Sequence, residues 1–221
     1  MVVFTVALAL LAALPSVWPT TFPKLNGVKI DTDPENMLSA EEPVRVFNSK
    51  MKKEFALYDM LVVGIVNGKA PDYVFNPKTL KDIYELTEYA KTLQGAVVGK
   101  PADPKAGVIG VDIIAPSTVD NVEQGGLGTV SFEWLMPEPP ATPEAAWAVR
   151  DKALKLPFMK GTLISEDGQA IALYFPLSDK HLSYTIAELL RKKIETFSSG
   201  DEYHITGLPI AEDTFGVEMF K

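Results

Sequence analysis

The chain has 221 residues, enough for one sizeable domain and a terminal segment, and 47% of them are hydrophobic. Its formal net charge of −8 argues against a nucleic-acid surface, because that affinity comes mainly from Lys and Arg side chains that neutralise phosphates. The sequence contains no cysteine, which excludes disulfides, thiolate nucleophiles and cysteine-bound zinc, and its two histidines are the only candidate imidazole bases.

The N-terminal segment from Val2 to Val17 carries no charge and is almost wholly apolar. We expect a transmembrane helix over residues 1–22, because Trp18 and Phe22 suit the interfacial belt of a bilayer. The apolar run is slightly shorter than the roughly 20 residues that a bilayer core requires. A cleaved signal peptide and a buried core helix are the alternative interpretations.

The first half of the remaining chain predicts a βαβ unit. Residues 59–66 are a β-rich apolar run that predicts a buried strand. Asn76 is followed by a proline, which is typical of an N-cap and a first helical position, and it predicts a helix over residues 77–94. Residues 108–114 predict a second strand.

The second half predicts another βαβ unit. Residues 161–165 and 169–176 predict a hairpin, which is followed by a helix over residues 179–198 and a strand over 202–208. The helix carries the clearest apolar stripe of the chain, at Leu182, Ile186, Leu189, Leu190, Ile194 and Phe197.

Two consecutive βαβ units predict an α+β fold of the ferredoxin-like, split-βαβ type. The helices predicted over residues 41–55 and 142–156 are additions packed around it. Residues 117–140 are interpreted as a loose connection, and residues 28–31 as a short strand.

Four groups of residues were considered as sites for chemistry. The turn at residues 31–36 alternates oxygen ligands but lacks the glycine of a calcium loop, and residues 125–128 lack the Gly-Lys-Ser/Thr of a phosphate loop. His181 and His204 have no sequence partner at ligand spacing. The carboxylates that punctuate apolar runs, Asp59, Asp112 and Glu133, carry no mark of an acid–base pair. The sequence therefore predicts no catalytic, cofactor or metal site, and no enzyme.

One helical stripe has two interpretations. Val44, Phe47, Met51 and Phe55 are spaced for one face of the helix predicted over residues 41–55. Such a stripe is usually part of a core, and the alternative is that it lines the path of an apolar substrate.

Four segments resemble one family of membrane proteins. Residues 29–38 after the apolar segment are similar to the exit of the first transmembrane helix of resistance–nodulation–division (RND) exporters, in their lipid- and hopanoid-exporter-like branch. Residues 75–80 and 163–168 continue the resemblance in the same order. Residues 207–216 resemble the lead-in to the second transmembrane helix.

The resemblance implies a partial first transmembrane helix at residues 1–22, a periplasmic α/β porter domain at 23–208 and the lead-in to a second span at 209–221. The implied location is the bacterial inner membrane, with most of the chain on the periplasmic side. The family's porter domains are ferredoxin-like, and its proton-relay carboxylates lie in later membrane helices, so none is carried over to this chain.

The function expected from the resemblance is that of an N-terminal part of a proton-driven exporter. Its porter domain would form part of the path of hydrophobic or lipid-like molecules. The implied partners are the membrane, the substrate and the remainder of the transporter, and a homo-oligomer is compatible with them. The alternative is a membrane-anchored periplasmic sensory or solute-binding module.

Overall fold

The computed structural model describes residues 2–17, 21, 34–69, 71–124 and 126–212. The chain divides into two compact units, residues 1–46 and residues 47–221, and the division falls inside helix α2 (Pro43–Glu54). The domain boundaries expected from the resemblance stay predictions.

The first unit contains helix α1 (Val2–Val17) and a short 3₁₀ helix (Pro34–Met37). Arg45 fixes the start of α2, because its guanidinium donates to the Leu38 carbonyl and to the Asn36 side-chain oxygen, each at 2.7 Å. Of the predicted membrane span the structure describes this 16-residue helix and residue 21. Among the described residues, no helix is both long and apolar enough to cross a membrane. The strand predicted at 28–31 lies outside the described residues.

The second unit is built on a three-stranded antiparallel sheet, and the chain is accordingly an α+β protein. Strand β1 (Asp59–Val66) lies in the centre, and the residues that pair with it belong to the fourth and fifth strands of the chain, β4 (Ala170–Leu177) and β5 (Glu202–Thr206). On one face of this sheet the side chains are buried, and Ile65 there lies opposite both Ile171 and Tyr203.

The prediction of a strand over residues 108–114 is wrong. Only isolated bridges form, from Val108 to Leu177 and from Ile114 to Tyr174, along the outer edge of β4. Residues 110–112 between them form a 3₁₀ turn. The β-branched residues here favour extended backbone, but a glycine inside a strand pattern weakens it and marks a bulge, and Gly110 begins the turn.

The interpretation of residues 117–140 as a loose connection is also wrong. The stretch contains a two-stranded antiparallel ribbon, β2 (Asp120–Gln124) and β3 (Val130–Trp134). Its signal in the sequence is the alternation of apolar and polar residues in β3, which the neighbouring glycines obscure. The predicted hairpin before β4 forms in part, as a bridge from Ile164 to Ile171.

Four predicted helices are confirmed, with shifted ends: α2 (Pro43–Glu54), α3 (Pro77–Lys91), α4 (Pro143–Lys155) and α5 (Ser183–Ile194). The predicted N-caps form: the Asn76 side chain accepts from two backbone amides of α3, and the Thr142 hydroxyl accepts from the Ala145 amide at 3.2 Å. Helices α3 and α5 contact each other, and their buried residues join the core beside β1.

Two adjacent leucines of α5 test which face packs on the sheet. Leu190 is fully buried and Leu189 is half-buried. We expect Leu190→Ala to lower the free energy of unfolding by about 2–5 kcal/mol, because it removes core contacts and leaves a cavity. Leu189→Ala, the matched control, should cost clearly less. Urea denaturation of both variants measures the difference, and equal losses would contradict this orientation of the helix.

Candidate functional site

The predicted substrate-path residues lie on an uncovered helix face. Helix α2 contains no buried residue, and Val44, Phe47 and Phe55 are exposed while Met51 is half-buried. The interpretation of this stripe as core is therefore wrong. The spacing of these residues correctly predicts that they share one face of α2. It does not predict whether another element of the structure covers that face. None of the four residues lines the cavities described below, and a role in a substrate path stays a prediction.

The loop and histidine candidates from the sequence are either described only in part or exposed. The 31–36 turn and the 125–128 loop are described only in part, the latter as a 3₁₀ helix from Gly126 to Gly128. His181 and His204 are both exposed, and His204 lies 3.8 Å from Glu202. In the described ranges no group of three His, Asp or Glu side chains is placed to hold a metal ion.

The largest of the three cavities described here is a cleft of about 850 Å³ beside the C-terminal end of α3, which we name the Lys105 cleft. Its volume lies within the range of small-molecule sites, about 300–1,000 Å³. Its polar lining is Tyr58, Lys91, Gln94, Lys105 and Ser178, and its apolar lining is Ile109, Gly110 and Val111.

Close backbone packing positions the walls of the Lys105 cleft. Gly107 has a φ of +137°, and a Cβ atom there would lie 2.1 Å from the Leu93 carbonyl oxygen, so only glycine fits. The Gln94 side-chain amide donates to the Val108 carbonyl at 2.8 Å, and the Gly107 backbone amide donates to the Ser178 hydroxyl at 2.9 Å. These bonds hold the loop after α3 against the end of β4.

The 3₁₀ turn places Val111 at the rim of the Lys105 cleft, with 92% of its surface exposed. A second cavity, of about 490 Å³, lies on the other side of this residue, and we name it the Trp134 cavity. The two share Lys91, Gly110 and Val111 in their linings, so they are continuous along the surface. A third cavity, of about 250 Å³ near Gly64, is smaller than typical ligand sites.

The Lys105 cleft is rich in hydrogen-bond donors. It presents the ammonium groups of Lys91 and Lys105, and its lining contains no carboxylate. Ser178 accepts from the Gly107 amide, which leaves its own hydroxyl hydrogen to donate elsewhere. The Lys91 ammonium forms an ion pair with the Glu88 carboxylate at 2.5 Å. Because this pair is exposed, it contributes little to stability. The cleft can therefore accept an apolar body and a hydrogen-bond acceptor or anion.

Sequence reasoning missed this cleft because its lining comes from separate stretches, at residue 58, residues 91–94, residues 105–111 and residue 178. No spacing rule connects such residues before the fold is known. The available signal was Gly110 inside an apparent strand, since a glycine there often marks a bulge.

A second polar group, at the start of β5, is partly buried. The Asp201 carboxylate accepts from the Asn67 side-chain amide at 2.7 Å and from the Thr79 hydroxyl at 2.6 Å, and it thereby joins β5 to the end of β1 and the start of α3. Near it, Asp82, Ser199 and Tyr203 each keep a buried side-chain oxygen without a well-formed hydrogen bond.

Burial raises the pKa of Asp82, which is 8% exposed. Hydrogen bonding to Ser199 opposes this rise, and the negative charges of Asp201 and Glu85 add to it. Burial likewise raises the pKa of the Tyr203 phenol. None of the four residues Asp82, Ser199, Asp201 and Tyr203 lines one of the three cavities described above.

The raised pKa of Asp82 makes stability depend on pH in a defined direction. The native state retains this proton where the unfolded chain has lost it, so the stabilisation is complete below the ordinary value of 3.8 and is lost as the pH rises through the native-state value. We expect Asp82→Asn to raise the free energy of unfolding at pH 7 and to have less effect at pH 4. Thermal or urea unfolding at both pH values checks this, with the exposed Asp112→Asn as the control. A larger gain at pH 4 than at pH 7 would refute it.

No protein-family model matches this chain, and no curated protein matches it at a significant level.

Proposed function

We propose that this chain is the N-terminal part of an RND-type, proton-driven membrane exporter, and that its α/β unit forms part of the path of hydrophobic or lipid-like molecules. The observation that carries the proposal is the Lys105 cleft, whose size and apolar rim suit such a molecule. The resemblance of residues 29–38, 75–80, 163–168 and 207–216 to this family supplies the transport context.

The strand order supports the finer, ferredoxin-like description of the fold. In a split-βαβ fold the first strand lies centrally, between the third and fourth, and the second takes the edge beside the third. Here β1 lies between β4 and β5, and the bridges at Val108 and Ile114 lie along the outer edge of β4. These bridges support an assignment of residues 108–114 as an interrupted second strand of such a fold.

The proposed location follows from the same proposal. The chain would be held at the bacterial inner membrane by residues 1–22, with the α/β unit on the periplasmic side, where its partners would be the remainder of the transporter and the substrate. No step of the proposed role requires a nucleophile or a base, which agrees with a transport protein and not an enzyme.

Binding of an uncharged apolar probe tests the cleft. We expect N-phenyl-1-naphthylamine fluorescence to rise on binding to the chain, and Val111→Ser to weaken the binding about fivefold, because about 1 kcal/mol of apolar contact is lost. Val97→Ser is the matched control, since Val97 is also an exposed valine in a 3₁₀ helix and lines none of the cavities described above. Equal effects of the two substitutions would remove the cleft from the substrate path.

Transport by the chain alone tests the assignment to a larger exporter. Proton-driven pumping requires ionisable groups inside the membrane bundle, and Val2–Val17 contains none. We expect vesicles that contain this chain and carry a pH gradient to export no lipid-like probe, and export to appear once the remaining spans of the transporter are supplied. Proton-dependent export by the 221-residue chain would contradict the proposal.

A further inference from the structure

We propose that the Lys105 cleft and the Trp134 cavity together bind one amphiphile with an anionic headgroup, a carboxylate or a phosphate, and an apolar body. The headgroup lies at Lys105 and Ser178, and the apolar body crosses Val111 towards Trp134. This inference rests on the proposed function, because it names the class of molecule that the substrate path selects.

The charge of the lining selects the headgroup. In a protein with a net charge of −8, the Lys105 cleft presents two ammonium groups and no carboxylate. Within the part of the chain that the structure describes, no carboxylate forms an ion pair with the Lys105 ammonium, whereas the Lys91 ammonium is paired with Glu88. Lys105 is thus the cation with unused capacity, and an oxyanion gains a charge-assisted hydrogen bond there.

Neutral donors complete the headgroup site. The Ser178 hydroxyl hydrogen is free to donate because the oxygen already accepts from the Gly107 amide. The Tyr58 phenol, also in the lining, is a further donor. A cationic headgroup would meet two ammonium groups of its own sign and lose these donors, so the cleft disfavours it.

The Trp134 cavity supplies the place for the body. Its lining includes the half-exposed Trp134 ring, together with Pro137 and Val111. Ser117 also lines this cavity, is 8% exposed, and has a buried hydroxyl without a hydrogen-bond partner. Such a hydroxyl is rare in a native structure, and because the oxygen is itself buried, it leaves the surface of the cavity to the apolar body.

Competition with matched twelve-carbon probes tests the inference. Dodecanoate, dodecyl phosphate, dodecanol and dodecyltrimethylammonium are each used below the concentration at which they form micelles, and each displaces N-phenyl-1-naphthylamine from the full chain. We expect at least one anion to compete about tenfold better than the alcohol, and the cation to compete worst. A preference between the two anions identifies the headgroup as a carboxylate or a phosphate.

Three substitutions assign the preference to the cleft. Lys105→Gln should remove most of the anion preference and leave dodecanol binding unchanged, and Lys105→Arg should retain the preference. Lys100→Gln is the matched control, because Lys100 is an exposed cation of the same loop that lies outside the three cavities. All of these variants contain the same apolar N-terminal segment. Amphiphiles that bind to that segment therefore contribute equally to every measurement and do not affect the comparison.

Two results would overturn the inference: equal competition by all four probes, or an anion preference that Lys105→Gln leaves intact. In either case, dodecanol binding that still depends on Val111 would leave the proposed function standing. Dodecanol binding that does not depend on Val111 would remove the cleft from the substrate path.

Discussion

Strand β1 is the constraint on which the rest of the second unit depends. Both of its edges are paired, to β4 and to β5, and its inward side chains, Leu61, Val63 and Ile65, have no exposed surface. A slip of one residue in either register would turn all three towards the opposite face, so the hydrophobic effect fixes the register strongly. Helices α3 and α5 then have one apolar surface on which to pack. The Asn76 N-cap fixes the residue at which α3 begins.

The cleft is a consequence of incomplete pairing at the edge of this sheet. The chain returns from α3 to the outer edge of β4, where it pairs at Val108 and again at Ile114. Between these points the 3₁₀ turn leaves the sheet and exposes Val111. A regular strand would have satisfied the edge, but it would have buried or flattened the wall of the cleft. Bulges beside binding sites commonly re-aim a side chain in this way, and here the residue that is re-aimed is the apolar rim shared by the two cavities.

Local signals in the sequence predicted local structure well. Asn76 and Thr142 mark helix starts because a cap needs only its own side chain and two or three following amides, and the Leu190 stripe identifies a buried face because its period matches the helix. The break in the predicted strand at 108–114 was not predicted, since it depends on the edge of β4, which is distant in sequence. The β2–β3 ribbon is local, but the glycines between its strands obscured the alternation of β3. The α2 stripe has the same periodicity as a core stripe and is exposed, so periodicity predicts a face but not its cover. The site could not be predicted, because Tyr58, Lys105 and Ser178 meet only after β1, α3 and β4 are in place.

Two polar groups of the second unit invite a functional interpretation, and they differ in their surroundings. The group around Asp82 has raised pKa values and unpartnered oxygens, features that are frequent at active sites, but Asp201 within it is fully engaged with Asn67 and Thr79 and joins three elements. A buried carboxyl with a raised pKa affects stability and its pH dependence. The Lys105 cleft has different properties: ammonium groups, donors with unused capacity, and a volume sufficient for a small molecule. Binding requires both space and unsatisfied donors, and the cleft provides both.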